Sequence, residues 1–264
     1  MKLYYKESGN TEASLIVFLH GGGVSGWMWD KQIEYFNDYH CLVPDLLGHG
    51  LSSSTDFSIN DCAEEILSLI LTKVQGKKVI LIGFSLGAQV AIKILSMNPD
   101  LVNYSILNSA LVRPIPLANK IIKPTIRLTY RLTKNRIFSK IQAKQLYIEK
   151  QKFETYYKET YNMNINNLIK ILEENMSFSI PKEFSMSNSK ILITVGEKEK
   201  KIMKKSALDI LDKTSNGKGI IIQKVGHGVS LAQPELFNKI VDAWINDKVL
   251  PSGLTPVKIG NGLR

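Results

Sequence analysis

Gly83-Phe84-Ser85-Leu86-Gly87 places a hydroxyl between two glycines, directly after the apolar run Val79-Ile80-Leu81-Ile82. That run is short and β-branched, as expected of a buried parallel strand. The residues that follow, Ala88 to Leu95, read as a helix. A serine on a strand-to-helix hinge has the geometry of a nucleophile elbow. The hinge backbone is strained, and a glycine two residues to either side lets strand and helix crowd against it. Taken alone, such a pentapeptide arises by chance in roughly one chain of this length in ten. Its placement between strand and helix is what gives it weight.

A serine hydroxyl is un-ionised at neutral pH. It needs a base within hydrogen-bond reach, and that base needs a partner to fix its tautomer. The chain has four histidines. His40 begins an apolar strand and has no glycine beside it, whereas His49 is enclosed in the loop Gly48-His49-Gly50 and serves to organise it. His20 opens the turn His20-Gly21-Gly22-Gly23. Only His227, between Gly226 and Gly228 after the strand-like Gly219 to Ile222, stands at a late strand end, and it is the candidate general base. For the acid, the strand Lys190 to Val195 runs into Gly196-Glu197-Lys198-Glu199. Either glutamate fits there, unless both belong to a solvated run with Lys198, Lys200 and Lys201. The oxygen that becomes negative during acyl transfer requires two N–H donors. Leu86 supplies one, at a helix N-terminus where the dipole adds to the effect. The glycine turn after Leu15-Ile16-Val17-Phe18-Leu19 supplies the other. No G-K-[ST] or G-x-G-x-x-G frame marks that turn as a phosphate cradle.

Strand ends carrying Ser, then an acid, then His, in that chain order, resemble the Ser-nucleophile α/β-hydrolases of the esterase and lipase type. The resemblance covers nearly the whole chain. It includes Pro44-Asp45-Leu46-Leu47-Gly48-His49-Gly50-Leu51-Ser52, similar to the D-x-x-G-x-G-x-S loop of that superfamily, and Gln233-Pro234-Glu235 after the histidine. It implies a structural role for His20 and favours Gly22 as the second oxyanion donor. It also places the acid third after the strand-end glycine, where this chain has Glu199 in place of the usual aspartate, with Glu197 as the rival. The preceding strand, another position for the acid in such folds, ends in Asn108, which cannot carry the charge. The implied activity is carboxylic-ester hydrolysis through an acyl-enzyme (EC 3.1.1-like), with Ser85, His227 and Glu199 catalytic and Gly22 and Leu86 forming the oxyanion hole. The alternatives are a C–C bond hydrolase or lyase of the same fold, or a hydrolase-fold ligand receptor with little turnover. A serine nucleophile argues against the dehalogenase and epoxide-hydrolase branches, which use aspartate. No cofactor or metal is implied, and the partner is a small-molecule acyl ester.

These residues must be positioned by alternating strands and helices. The pattern predicts an α/β fold with a doubly wound, mostly parallel sheet, which the resemblance makes eight-stranded. The first strands are expected at Met1 to Lys6 and Ala13 to Leu19, and later ones include His40 to Val43 and Leu101 to Leu107. Ser58, with Asp61 three residues on, forms a capping pair for a helix over Cys62 to Thr72. Trp27 and Trp29 are expected to fill core beside the glycine turn. The alternation breaks between Arg113 and Ser187, where segments of helical spacing (Leu117 to Lys123, Thr125 to Thr133, Ile137 to Thr160, Ile165 to Glu174) are separated by prolines. This stretch resembles a helical cap inserted after the strand that follows the nucleophile helix. The expected division is a core of residues 1–112 and 188–264 with a cap of residues 113–187. The tail beyond Val249, with its prolines and glycines, reads as a loosely held extension.

The chain has 264 residues, and 44% of them are apolar, enough for one large α/β domain. Two cysteines, Cys41 and Cys62, provide neither a disulfide framework nor a Cys/His metal cluster. No N-terminal run has the length of a secretory signal core, and no segment approaches a membrane span, so a cytoplasmic protein is expected. The net charge of +10 is uneven: Arg113 to Ser185 holds 14 Lys and Arg against six Glu and no Asp, so eight of the ten net positive charges lie there. Nothing resembles a nucleic-acid-binding module. Lys123, Arg127, Arg131 and Lys134 share roughly one helix face, with Ile121, Ile122, Ile126 and Tyr130 beside them. Two readings stand. One is a face for an anionic or lipid-like substrate or for peripheral membrane contact; the other is a solvated basic helix.

Overall fold

The structure, a computed structural model, describes residues 3–53 and 56–257. Eight strands form one sheet: β1 Tyr5–Gly9, β2 Leu15–Leu19, β3 His40–Pro44, β4 Val79–Phe84, β5 Tyr104–Asn108, β6 Lys190–Gly196, β7 Gly217–Ile222 and β8 Thr255–Pro256. Their spatial order is β1-β3-β2-β4-β5-β6-β7-β8. β2 to β7 run parallel, and β1 and β8 lie antiparallel at the two edges. Among the described residues, ten α-helices accompany them: α1 Asp30–Tyr35, α2 Ile59–Lys73, α3 Leu86–Met97, α4 Ala118–Thr129, α5 Arg136–Gln145, α6 Phe153–Asn162, α7 Ile165–Ser177, α8 Lys201–Asp212, α9 Val229–Ala232 and α10 Pro234–Ile245.

β2 shows why the central strands are continuous apolar runs. Leu15, Val17 and Leu19 pack on one face of the sheet with residues of α2, α3 and α8. Ile16 and Phe18 pack on the other, with Trp29, Phe36 and the α10 residues Phe237, Ile240 and Trp244. Successive side chains point to opposite faces, so a strand covered by helices on both sides must be apolar at every position. Burying each such side chain stabilises the fold by about 2 kcal/mol. Trp29 is fully buried and Trp27 nearly so, as expected of core. Ser58 accepts a hydrogen bond from the Asp61 amide at 3.2 Å and caps α2.

Several boundaries differ from the sequence expectations. The first strand is Tyr5–Gly9; Met1 and Lys2, part of the expected one, lie outside the described residues. Pro124 does not break its helix. α4 runs through it, because the exposed outer side of the helix tolerates the missing N–H. The long segment Ile137 to Thr160 is instead divided into α5 and α6, since Tyr147 adopts φ +58°, a left-handed conformation that ends a helix. The tail is not loosely held up to Val257. Thr255 pairs with Ile221 in β8, and Val257 is buried against Gly219. Residues 258–264 of that tail lie outside the described residues.

The chain leaves β2 towards β3 on one side and returns to β4 on the other. The carboxyl ends of β2 and β4 therefore flank the point where the strand order reverses, the place where open α/β sheets form a ligand crevice. Leu19 pairs with Gly83 there, so the glycine turn and Ser85 emerge side by side. Between β5 and β6 the four helices α4 to α7 form a helical insertion.

Candidate active site

Ser85 sits between β4 and α3 with φ +52° and ψ −112°, a conformation that side chains seldom adopt. The flanking glycines are explained by distance. A Cβ on Gly83 would lie 2.5 Å from the Gly87 carbonyl oxygen, and one on Gly87 would lie 2.3 Å from the carbonyl oxygen of Leu19. The Ser85 amide donates to Asn108 O at 2.8 Å, tying the hinge to the end of β5.

Three side chains from separate strand ends meet at this point. His227, after β7, has Nε2 at 2.9 Å from Ser85 Oγ and Nδ1 at 2.9 Å from Glu199 Oε2. Glu199, three residues after the end of β6, is 8% exposed, and its other oxygen accepts from the Ser109 hydroxyl at 2.6 Å and the Gly196 amide at 2.9 Å. Burial raises the pKa of this carboxyl. The hydrogen bond and charge of the His227 ring, with the Ser109 and Gly196 donors, outweigh burial and hold it below the ordinary glutamate value. An anionic Glu199 calls for the proton on Nδ1, leaving the Nε2 lone pair facing the Ser85 hydroxyl. The Phe84 ring packs against the imidazole, with centroids 4.8 Å apart.

The rival carboxylate lies elsewhere. Glu197 is exposed, and its Oε2 accepts from the Lys224 amide at 2.8 Å. Asn108 is buried and donates to Thr194 Oγ1, bracing β5 against β6. His40 meets Glu7 at 2.7 Å on the far edge of the sheet.

The glycine turn is held from beneath. The His20 ring donates from Nδ1 to Gly21 O at 2.8 Å and accepts at Nε2 from the Leu46 amide at 2.9 Å, so a neutral ring satisfies both bonds. Burial lowers its pKa to about 4, and that of neighbouring His49 to about 3. Asp45 ties the adjoining loop, accepting from the Gly26 and Leu51 amides at 2.8 Å each. Gly22 lies against Leu86: a Cβ placed on it would sit 3.5 Å from Leu86 Cδ2. Among the described residues, neither the Gly22 nor the Leu86 amide has a hydrogen-bond acceptor. Leu86 directly follows Ser85, so the turn that carries Gly22 lies against the residue next to the hydroxyl.

Three residues that sequence reasoning missed complete the site. Ser109 follows β5 with φ +57°, and its side chain reaches Glu199; its only signal was its place at a strand end beside Asn108. Tyr147, from the insertion, accepts from the Gly226 amide at 2.9 Å, one residue before His227. Glu159, also from the insertion, accepts from Ser25 Oγ at 2.7 Å and Trp27 Nε1 at 2.9 Å just beyond the glycine turn. These last three bonds span 79, 134 and 132 residues, and no local pattern announces them. A cavity of about 480 Å³ opens beside Gly23, Trp27 and Glu159, but neither Ser85 nor His227 lines it.

Comparison with known proteins agrees with this architecture. Over 251 residues the chain is 24% identical to (E)-2-((N-methylformamido)methylene)succinate hydrolase of Acinetobacter baylyi, covering 92% of this chain and 93% of that one. A thermophilic esterase from Thermogutta terrifontis shares the fold with a TM-score of 0.77 at 18% identity, covering 93% of each chain. The enol-lactonase of Burkholderia xenovorans does so with a TM-score of 0.78 at 14% identity, covering 92% of this chain and 96% of that one. The model of the alpha/beta hydrolase family matches residues 16–240, and the chain belongs to that family.

Proposed function

We propose that this hydrolase cleaves a carboxylic ester through an acyl-enzyme formed on Ser85. The observation that carries the reading is the unbroken relay from Ser85 Oγ to His227 Nε2 and from Nδ1 to Glu199, each link 2.9 Å. As Oγ attacks the acyl carbon, His227 Nε2 takes its proton, and Glu199 steadies the imidazolium. The carbonyl oxygen becomes an oxyanion and accepts from the Gly22 and Leu86 amides. Collapse expels the alcohol, protonated by His227. Water then attacks the acyl carbon, gives its proton to His227, and the carboxylic acid leaves as Ser85 recovers its proton. The insertion over residues 113–187 serves as the cap over this site.

A second reading is favoured by the Acinetobacter relative, whose name describes hydrolysis of a substituted succinate rather than a simple ester. The same three side chains then cleave an amide-like or C–C bond. A panel of nitrophenyl esters of rising chain length, run on wild type and Ser85→Ala, separates the two. Ester turnover that disappears in Ser85→Ala supports the ester reading. Fluorophosphonate labelling of Ser85 without ester turnover supports the second. Neither labelling nor turnover sinks both and leaves a ligand receptor.

A further inference from the structure

The outer side of the insertion carries a surface that the chemistry at Ser85 does not use. α4 packs on α7 through Ala118, Ile122 and Ile169, with Ile126 beside them. Its opposite side is open. Ile121 and Leu128, on one side of the helix, are 57% and 84% exposed there, and Leu117, at its N-terminal cap, is 62% exposed. Lys120 and Arg127 on the helix, and Arg131 just beyond its end, are all exposed alongside. Seven of the fifteen large apolar side chains that are exposed among the described residues fall between Ile115 and Ile141. The stretch Arg113 to Ile148 holds nine basic residues and no acidic one.

Exposed leucine and isoleucine scattered singly need no explanation, but a group of them on one surface helix and its cap does. Here the group is bordered by cations with no acid interleaved. A protein partner or a second copy of this chain would have to present a dense acidic rim to meet it. An anionic bilayer supplies both complements at once: negative headgroups for the Lys and Arg, and an acyl boundary for the apolar side chains. We infer that the exposed side of α4 and the residues flanking its ends, with Leu117, Ile121 and Leu128 beside Lys120, Arg127 and Arg131, docks this hydrolase on anionic lipid surfaces. This inference is independent of which bond the active site cleaves.

Co-sedimentation with vesicles tests it. The full chain is mixed with vesicles of phosphatidylcholine alone or with 30% phosphatidylglycerol, at low and high salt. Binding to the anionic vesicles at low salt, at least tenfold above that to neutral ones and weakened by salt, is expected. Lys120→Glu/Arg127→Glu/Arg131→Glu and Leu117→Ser/Ile121→Ser/Leu128→Ser should each reduce binding at least tenfold. Both variants should keep the wild-type melting temperature and wild-type fluorophosphonate labelling of Ser85, which shows that they fold. Equal sedimentation with neutral and anionic vesicles, none with either, or full binding by folded variants overturns the inference. So does vesicle-independent dimerisation that the apolar substitutions abolish, because the apolar group then belongs to a second copy of the chain.

Discussion

Glu199 is the residue on which the proposed relay turns, because its charge both orients His227 and stabilises the imidazolium as it forms. Glu199→Gln keeps the shape and removes the charge. kcat/KM should fall by about three to four orders of magnitude, measured on the best nitrophenyl ester. Ser109→Ala removes only one donor to the carboxylate and should cost about 1 kcal/mol of stability. The sign of its pH dependence follows from the direction of the shift. The folded-state pKa of Glu199 lies below its ordinary value, so its contribution is fully present above the ordinary carboxylate range. It is lost as pH falls through the folded pKa. The melting temperatures of wild type and Ser109→Ala should therefore differ at pH 7 and converge in acid. Equal melting temperatures at pH 7 would remove Ser109 from the network. At this scale the sequence disclosed Ser85 and His227 by their glycine neighbours. It left two glutamates open, because a two-residue difference on a loop is decided by which one turns inward. Ser109 was hidden, because nothing in a serine's identity reports a left-handed backbone.

Among the ties between the elements that bring these residues together, one that local pattern could not show lies next to His227. The insertion reaches the loop carrying His227 through Tyr147, whose hydroxyl accepts from the Gly226 amide and whose neighbour Leu146 presents its carbonyl towards Gly228. Tyr147→Phe keeps the ring and loses the acceptor. The Gly226 amide is exposed and can turn to water, so the melting temperature should hardly move. The imidazole should be placed less well, and kcat should drop between about threefold and tenfold with KM nearly unchanged. A rise in KM at constant kcat would instead make Tyr147 a substrate contact. Strands were the legible elements, because short apolar runs such as Leu15–Leu19 and Val79–Ile82 fit a sheet covered by helices on both faces. Helix boundaries in the insertion were not. Pro124 read as a breaker although its outward position makes it tolerable, and Tyr147 gave no warning of the break it makes. The edge strand at Thr255–Pro256 was concealed by proline and glycine, which turns and sheet edges share.

Across the whole molecule, two of the three buried imidazoles, His20 and His49, make acid its weak side. His20 and His49 lie with ring centroids 5.2 Å apart under the glycine turn, where burial lowers their pKa values to about 4 and about 3. In the unfolded chain both rings take up protons near pH 6.5, while the folded protein keeps them neutral. Between that pH and about 4 the unfolded state holds more protons, so stability falls as pH drops and the fall levels off only below the folded values. The loss is on the order of 3 kcal/mol for His20 and roughly 5 kcal/mol for His49, comparable with a large part of the stability of an ordinary domain. Glu159 works in the opposite direction. Burial raises its pKa, more than the Trp27 and Ser25 hydrogen bonds lower it, so its contribution declines as pH climbs through and just above the usual carboxylate range. The stability maximum should therefore lie near neutrality, with a steep descent beginning around pH 6.5. Thermal melts from pH 8 to pH 4 measure it directly. His49→Gln, which removes one titrating ring, should flatten the descent, and an unchanged slope would show that these histidines do not govern it.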